Sequence, residues 1–193
     1  MANKENEFTK WAEGLRLKPY VCPAGKLTIG YGRNLDDVGI SEEEANFMIE
    51  NDLDKVDDLM RKHYPTVLQY QHLWKNVYRD LIFNMGPKKF ATMKKFINAV
   101  DQRNYCEALA ELVDSNWFNQ VGYRSKAIFN SVWKGSDPSS YLEFTKGNRA
   151  TIDKDFRQCF AKWLKWHDCG RKTNFELYGK RPRIAKWIKA FGL

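Results

Sequence analysis

Apolar residues recur every three or four positions along most of the chain, a spacing that predicts a mostly helical protein. The first helical pattern ends at Glu13; its apolar positions are Phe8, Trp11, Ala12 and Leu15. Residues 20 to 29 instead alternate, and prolines and glycines punctuate this stretch, as a tight β-hairpin requires. The sequence therefore predicts a carboxyl group at a helix end that faces a β-hairpin.

Helical periodicity returns after the hairpin and continues to the end of the chain. Ser41 and Glu44 form a capping-box pattern that opens a long helix, which would link two lobes and end before Pro65. Further helices are predicted over residues 67 to 83, 87 to 100, 105 to 113, 117 to 133, 156 to 164 and 180 to 191, with one short helix at Pro138 capped by Asp137. A loop around residues 170 to 179 is expected to join the last two.

The last predicted helix is basic and strongly amphipathic. Its apolar face consists of Ile184, Trp187, Ile188 and Phe191, and its basic residues Arg183, Lys186 and Lys189 lie elsewhere. One interpretation is that residues 180 to 193 dock on an anionic outer-membrane lipid. The alternative, which applies above all to residues 150 to 168, is that these helices complete the hydrophobic core of the preceding lobe.

Charge is distributed unevenly along the chain. Residues 1 to 143 contain 19 Lys and Arg against 20 Asp and Glu, whereas residues 144 to 193 contain 13 against 4 and carry a net charge of +9. Such asymmetry points to an anionic partner for the basic segment, whether nucleic acid, lipid head group or cell-wall polymer.

Composition indicates a soluble globular protein. A chain of 193 residues with 43% hydrophobic content can bury a core, and its apolar runs are too short to span a membrane. The first residues lack the apolar stretch of a signal peptide, so we expect the protein to be made and kept in a cytoplasm. The four cysteines are expected to be free thiols, because their spacing does not repeat: Cys22, Cys106, Cys159 and Cys169.

Three side chains in the first thirty residues are suited to cleaving a glycosidic bond. Such cleavage needs a protonated carboxyl group that donates to the leaving oxygen, and a second group that activates water or attacks the anomeric carbon. Glu13 is the candidate acid. Cys22 is the candidate second group, and Thr28 would orient the attacking water or the thiol.

Cys22 can act as a base or nucleophile only when its thiol ionises. An ordinary thiol, with a pKa of about 8.5, is mostly neutral at pH 7. Cys22 can therefore take part only if local positive charge lowers its pKa, and Lys18, Lys26 and Arg33 are the candidates for that charge. The alternative is that Cys22 packs under the hairpin as a small hydrophobic residue.

The stretch from Glu13 to Gly32 resembles the lysozymes of bacteriophages that are similar to the lysozyme of the T-even phages. Those enzymes carry a Glu, eight residues, an Asp or Cys, five residues and a Thr, a pattern that falls on Glu13, Cys22 and Thr28 within Glu-Gly-x-Arg and Thr-Ile-Gly-x-Gly contexts. Further matches are Phe-Asn-Met-Gly at residues 83 to 86 and Trp-Phe-Asn-Gln at residues 117 to 120, followed by Arg124 and Lys126. The resemblance covers roughly residues 7 to 135.

This resemblance implies an α+β, lysozyme-like fold in a domain of residues 1 to 143, with a catalytic lobe over about 1 to 64 and a helical lobe over about 65 to 143. Residues 144 to 193 would form a basic helical extension. The implied activity is hydrolysis of the β-1,4 bond between N-acetylmuramic acid and N-acetylglucosamine in peptidoglycan, with no metal or cofactor. We expect a monomer that leaves the host cytoplasm for the periplasm through a phage holin.

The resemblance also implies a substrate-binding set, which consists of Asn84, Trp117, Asn119 and Arg124, the last of them close to Glu13. For Asn84, Trp117 and Asn119, an ordinary core or helix-surface role is the open alternative. The family commonly has a His after Thr-Ile-Gly-x-Gly, which we interpret as a structural partner, and this chain has Arg33 at that position.

The sequence also suggests three other functions. Cys159, His167 and Cys169 suggest zinc, but a structural site needs a fourth ligand, so no metal is predicted. The basic, Trp-rich tail is also typical of nucleic-acid binding, yet the catalytic motif favours a wall polymer and no nucleic acid is expected. For the whole chain the alternative is a noncatalytic wall-binding or membrane-active protein on a lysozyme scaffold.

Overall fold

A computed structural model describes residues 6–69, 72–136, 138–166 and 172–193. Its elements confirm the predicted α+β class, and most of them are helices. In chain order they are α1 (Glu7–Glu13), β1 (Arg16–Val21), β2 (Leu27–Gly30), β3 (Arg33–Asn34), α2 (Glu42–His63), α3 (Pro65–Leu68), α4 (His72–Met85), α5 (Pro87–Phe90), α6 (Lys94–Asp101), α7 (Tyr105–Val113), α8 (Asn116–Gln120), α9 (Tyr123–Lys134), α10 (Pro138–Thr145), α11 (Arg149–Lys165), α12 (Asn174–Tyr178) and α13 (Pro182–Phe191).

The chain divides into two compact units, residues 1–52 and residues 53–193. The boundary between them falls inside α2. The first unit holds α1 and the sheet, and the second holds α3 to α13, including the basic segment of residues 144 to 193.

The sheet is a three-stranded antiparallel meander in the order β1, β2, β3. The hairpin predicted from the alternating pattern is confirmed. It is formed by β1 and β2, and its register pairs Tyr20 with Thr28. The pairing shifts between Arg16 and Tyr20, which marks a bulge in β1. The sequence pattern misses β3, because a strand of two residues is too short to show alternation.

The capping box at the start of α2 is confirmed. The backbone N–H of Glu44 donates to the Ser41 hydroxyl (3.2 Å), and the Glu44 carboxylate accepts from the Ser41 backbone N–H (2.7 Å). The other oxygen of Glu44 accepts from the Arg33 guanidinium at 2.9 Å. Arg33 therefore ties β3 to the first turn of α2, a structural role that the sequence predicts for this position.

Three helices predicted as continuous are broken in the structure. Residues 67 to 83 divide between α3 and α4, with residues 70 and 71 outside the described residues. Residues 87 to 100 break after Phe90, where the Thr92 hydroxyl donates to the Lys89 carbonyl (2.7 Å). Residues 117 to 133 break at Gly122, whose φ of +61° lies outside the helical region.

The predicted loop of residues 170 to 179 contains a helix, α12, so that prediction is wrong in part. Thr173 and Glu176 form a capping box, a signal available in the sequence. The predicted cap at Asp137 lies outside the described residues.

The second unit has an aromatic core to which the basic segment contributes. Phe156 and Trp163 of α11 are fully buried; Phe156 packs 5.3 Å from Phe129 and 5.2 Å from Trp187 between ring centroids. In α13 Ile184 is fully buried, and the other apolar residues of its face, Trp187, Ile188 and Phe191, pack against the same core. These contacts agree with the core interpretation of the two helices, since the apolar face of α13 packs against the second unit.

Candidate active site

The hairpin places Cys22 and Thr28 on one face of the sheet. Their side chains are diagonal neighbours, because Cys22 lies opposite Lys26 and side chains two residues apart share a face. The turn is closed by Cys22 N–H to the Lys26 carbonyl (2.9 Å) and Gly25 N–H to the Cys22 carbonyl (2.8 Å). Thr28 is only 3% exposed, and its hydroxyl donates to the Lys26 carbonyl at 3.0 Å.

The thiol of Cys22 is free and sits where the hairpin favours its ionised form. Hydrogen bonding by the Lys26 backbone, and then by the Thr28 side chain, lowers the pKa of Cys22 below its ordinary value. This lowering comes from hydrogen bonding, and the charges of Lys18, Lys26 and Arg33, the candidates from sequence, are not among its causes. The Lys26 ammonium is paired with Asp37 (2.9 Å) and the Arg33 guanidinium with Glu44.

Glu13 ends α1 and lies against the backbone of Gly32. The helix stops because Gly14 adopts φ +69°, with its N–H on the Lys10 carbonyl (3.0 Å). A Cβ atom added to Gly32 would stand 2.8 Å from the Glu13 carboxylate oxygen Oε2, a distance too short for a real contact. The second glycine of Thr-Ile-Gly-x-Gly thus leaves room for the candidate acid, a role that the motif alone does not show.

Gly32→Ala is expected to displace the Glu13 carboxyl group and to reduce activity by about tenfold or more, since small displacements of a reacting group are costly. Gly30→Ala is the matched control, because Gly30 also has positive φ (+69°, against +77° for Gly32) yet an added Cβ there meets no atom within 4 Å. Both variants should lose about 1–2 kcal/mol of stability through backbone strain. Equal activity of the two variants in a lysis assay at matched folded fraction would contradict the role of Gly32.

Two of the predicted substrate-binding residues are hydrogen-bonded to each other in the second unit. The indole Nε1–H of Trp117, a residue only 3% exposed, donates to the Asn84 side-chain oxygen at 2.6 Å. Asn84 is exposed on α4, so its amide nitrogen can still donate to a ligand. Asn119 donates to the backbone carbonyls of Ser115 (3.0 Å) and Val113 (3.4 Å), which makes it a support of α8.

Arg124, the fourth predicted substrate-binding residue, is held by a carboxylate that the sequence interpretation missed. Asp80 accepts from its Nε (2.9 Å) and from a terminal nitrogen (2.5 Å), a bidentate pair that fixes the plane of the guanidinium. Both line a cavity of about 550 Å³, beside which the Arg149 guanidinium lies 4.8 Å from the centre of the Tyr123 ring. The sequence gives no local signal for this pair, because Asp80 and Arg124 lie 44 residues apart.

The structure gives no support for a zinc site at Cys159, His167 and Cys169. His167 and Cys169 lie outside the described residues, and Cys159 is buried, which raises its pKa. No group of three or more His, Cys, Asp or Glu side chains suited to a metal occurs among the residues that the structure describes. Within the same residues, no helix has both the length and the apolar character needed to cross a membrane.

Comparison with known proteins identifies the family. The Phage lysozyme family model matches residues 10–130. An endolysin of Acyrthosiphon pisum secondary endosymbiont phage 1 is 36% identical over 110 residues, which cover 52% of this chain and 69% of that protein. Probable T4-type lysozyme 2 of Dictyostelium discoideum is 23% identical over 165 residues, with 70% of this chain and 97% of that protein covered. The family match extends over more than half of the chain, from α1 into α9, and this protein belongs to the phage lysozyme family.

Proposed function

We propose that this lysozyme is an N-acetylmuramidase that hydrolyses the β-1,4 bond between N-acetylmuramic acid and N-acetylglucosamine in bacterial peptidoglycan. The observation that carries the proposal is the first unit's geometry, in which a helix-end carboxyl group lies against Gly32 and a hydrogen-bonded thiol shares a sheet face with Thr28. These groups provide an acid and a potential base or nucleophile, the two functions that glycoside hydrolysis needs.

In this mechanism Glu13 donates its proton to the glycosidic oxygen as the bond to the anomeric carbon breaks. Cys22, as the thiolate, accepts a proton from the attacking water. Thr28 has one hydroxyl proton, which bonds the Lys26 carbonyl in the structure, so its oxygen can accept from the water or the thiol. When the thiolate forms, rotation of the Thr28 hydroxyl would turn that proton toward sulfur and stabilise the charge.

Substrate binding is assigned to the second unit. We propose that the Asn84 amide binds the sugar, that Trp117 and Asn119 build the wall behind it, and that Arg124, oriented by Asp80, binds an anionic or carbonyl group of the substrate. The lobes of residues 1 to 64 and 65 to 143 remain our proposed functional division, with residues 144 to 193 an extension that is built into the core of the second unit.

The Cys22 thiolate makes activity depend on pH. The thiolate fraction grows as pH rises through the thiol pKa, and because that pKa is lowered, hydrolysis of purified sacculi should reach half its maximum below the ordinary value of about 8.5. Cys22→Asp should remain active, and its rise in activity with pH should begin at a lower pH, since the pKa of an ordinary Asp is about 3.9. Iodoacetamide should inactivate the parent and spare Cys22→Asp.

Cys22→Ala is the decisive comparison in this series. It should lose about a hundredfold or more of the activity, as the removal of a general base does. If Cys22→Ala hydrolyses sacculi as fast as the parent, the thiol only packs and another group activates the water. If no variant, including the parent, releases soluble fragments, the noncatalytic wall-binding alternative is correct.

Attachment to the envelope is proposed for the exposed side of the basic segment, since its buried side belongs to the core. Two adjacent grooves of about 660 and 610 Å³ share Ala161 and Leu193. Basic side chains on their walls are Lys154, Arg157 and Lys165, and large apolar side chains near them are half exposed, with Phe175 at 50% and Leu193 at 46%. Cations beside exposed apolar groups are suited to an anionic lipid surface.

Vesicle cosedimentation tests this attachment. The protein should bind phosphatidylglycerol-containing vesicles and not pure phosphatidylcholine vesicles, and added salt should weaken the binding. Lys154→Gln combined with Lys165→Gln should weaken it by roughly thirtyfold, at about 1 kcal/mol per basic residue, without loss of sacculus hydrolysis. Equal binding to both vesicle types would remove the basis for an anionic lipid partner.

The route to the wall is also a proposal. We expect a monomer that accumulates in the host cytoplasm and reaches the periplasm through a holin, and the name endolysin of the phage relative supports an action at host lysis.

A further inference from the structure

The C-terminal helix is attached by side chains to the turn between α7 and α8. Arg183, the second residue of α13, makes three contacts there. Its backbone N–H donates to the Asp114 carboxylate (3.1 Å), one guanidinium nitrogen donates to the Asp114 carbonyl (2.8 Å), and the other donates to the Asn116 side-chain oxygen. The turn is thus held through a carboxylate, a main-chain carbonyl and an amide at once.

The same turn determines where α8 begins. The Ser115 hydroxyl caps α8 by accepting from the Phe118 N–H (3.0 Å), and it donates to the Leu112 carbonyl at the end of α7 (2.7 Å). The Asn119 side-chain amide donates to the Ser115 carbonyl, which links the next turn of α8 to the same residue. A shift of residues 114 to 116 would therefore move α8 as a body, together with the indole of Trp117.

We infer that Arg183 is a positioning residue for the substrate-binding wall, and that the C-terminal extension sets the place of Trp117 and Asn119 through it. This inference rests on the proposed function, because a displaced α8 changes the kinetics only if its residues bind the substrate. Arg183 itself does not act on the bond that is cleaved. Its guanidinium holds the turn, the turn holds α8, and α8 places the Trp117 indole against Asn84 of α4.

A second arginine of the same segment offers a matched comparison. Arg181 also joins the extension to α7, with its guanidinium donating to Glu107 (2.6 Å) and Glu111 (2.8 Å) while it lies 4.9 Å from the centre of the Tyr178 ring. These partners lie in the body of α7 and not in the turn. Loss of Arg181 should therefore weaken the attachment of the extension without displacing α8 specifically.

The test compares Arg183→Ala with Arg181→Ala in the full-length protein. Both should lower the melting temperature. Arg183→Ala alone should reduce kcat/KM on soluble peptidoglycan fragments by roughly tenfold or more, mainly through KM, because a displaced wall weakens binding more than chemistry. Arg183→Lys, which keeps a donor near Asp114, should recover part of the loss.

A readout that does not depend on catalysis separates this inference from the proposed function. The indole N–H signal of Trp117 in a ¹⁵N–¹H spectrum, assigned by Trp117→Phe, should shift in Arg183→Ala and stay in place in Arg181→Ala. The inference is overturned if the two variants move this signal equally, or if neither moves it. If the signal shifts only in Arg183→Ala while the parent protein hydrolyses nothing, the positioning holds and the proposed function fails.

Discussion

Glu13→Gln should keep the fold and lose the activity. The amide has nearly the shape of the carboxyl group and can lie against Gly32 in the same way, but it has no acidic proton for the leaving oxygen. Removal of a general acid lowers the rate of bond cleavage by about a hundredfold or more. The measurement is the lysis of chloroform-treated Gram-negative cells, with circular dichroism to confirm the fold.

Glu7→Gln is the matched control, since Glu7 lies on the same short helix, is exposed and pairs across one turn with Lys10 (3.1 Å). A pair of this kind contributes little to stability, so Glu7→Gln should lyse cells like the parent. A folded Glu13→Gln variant with parental activity would show that another group donates the proton.

Removal of residues 180 to 193 should unfold the second unit. The deletion takes away Ile184, which is fully buried, together with the rings of Trp187 and Phe191 that pack on Phe156. Loss of one core side chain costs about 2–5 kcal/mol, so loss of these three is comparable to the 5–15 kcal/mol that stabilises a typical domain. Thermal unfolding followed by near-ultraviolet circular dichroism, which reports on packed aromatic rings, measures the effect.

Two point variants test the same prediction with smaller changes. Ile184→Ala should destabilise by about 2–5 kcal/mol and leave a cooperative transition, whereas Lys189→Ala, at an exposed position of the same helix, should change little. A truncated protein that melts at the parental temperature would mean that α13 does not belong to the core.

The hairpin of β1 and β2 could be predicted from sequence because its determinants are local. Turn glycines, strand alternation and the capping box of Ser41 and Glu44 act over a few residues, so each can be recognised in a short stretch of sequence. The family motif adds the spacing of Glu13, Cys22 and Thr28. The cause of the lowered pKa of Cys22 was not predictable in the same way, since it depends on which backbone groups the turn points at sulfur.

The role of the C-terminal segment could not be decided from sequence because its partners are distant along the chain. An amphipathic basic helix has the same pattern whether its apolar face meets lipid or protein. Only the three-dimensional structure shows Arg183 at Asp114, almost seventy residues earlier, and Phe191 on Phe156. The pairing of Asp80 with Arg124 was missed for the same reason.

The identity of the new reducing ends in digested peptidoglycan tests the central claim most directly. Purified sacculi are digested, the soluble fragments are reduced with borohydride, and the terminal sugar alcohol is identified by mass spectrometry. The account predicts that the parent protein yields N-acetylmuramitol ends and that Glu13→Gln yields almost none. N-acetylglucosaminitol ends, anhydro-muramyl ends, or the absence of any new ends from the parent protein would contradict it.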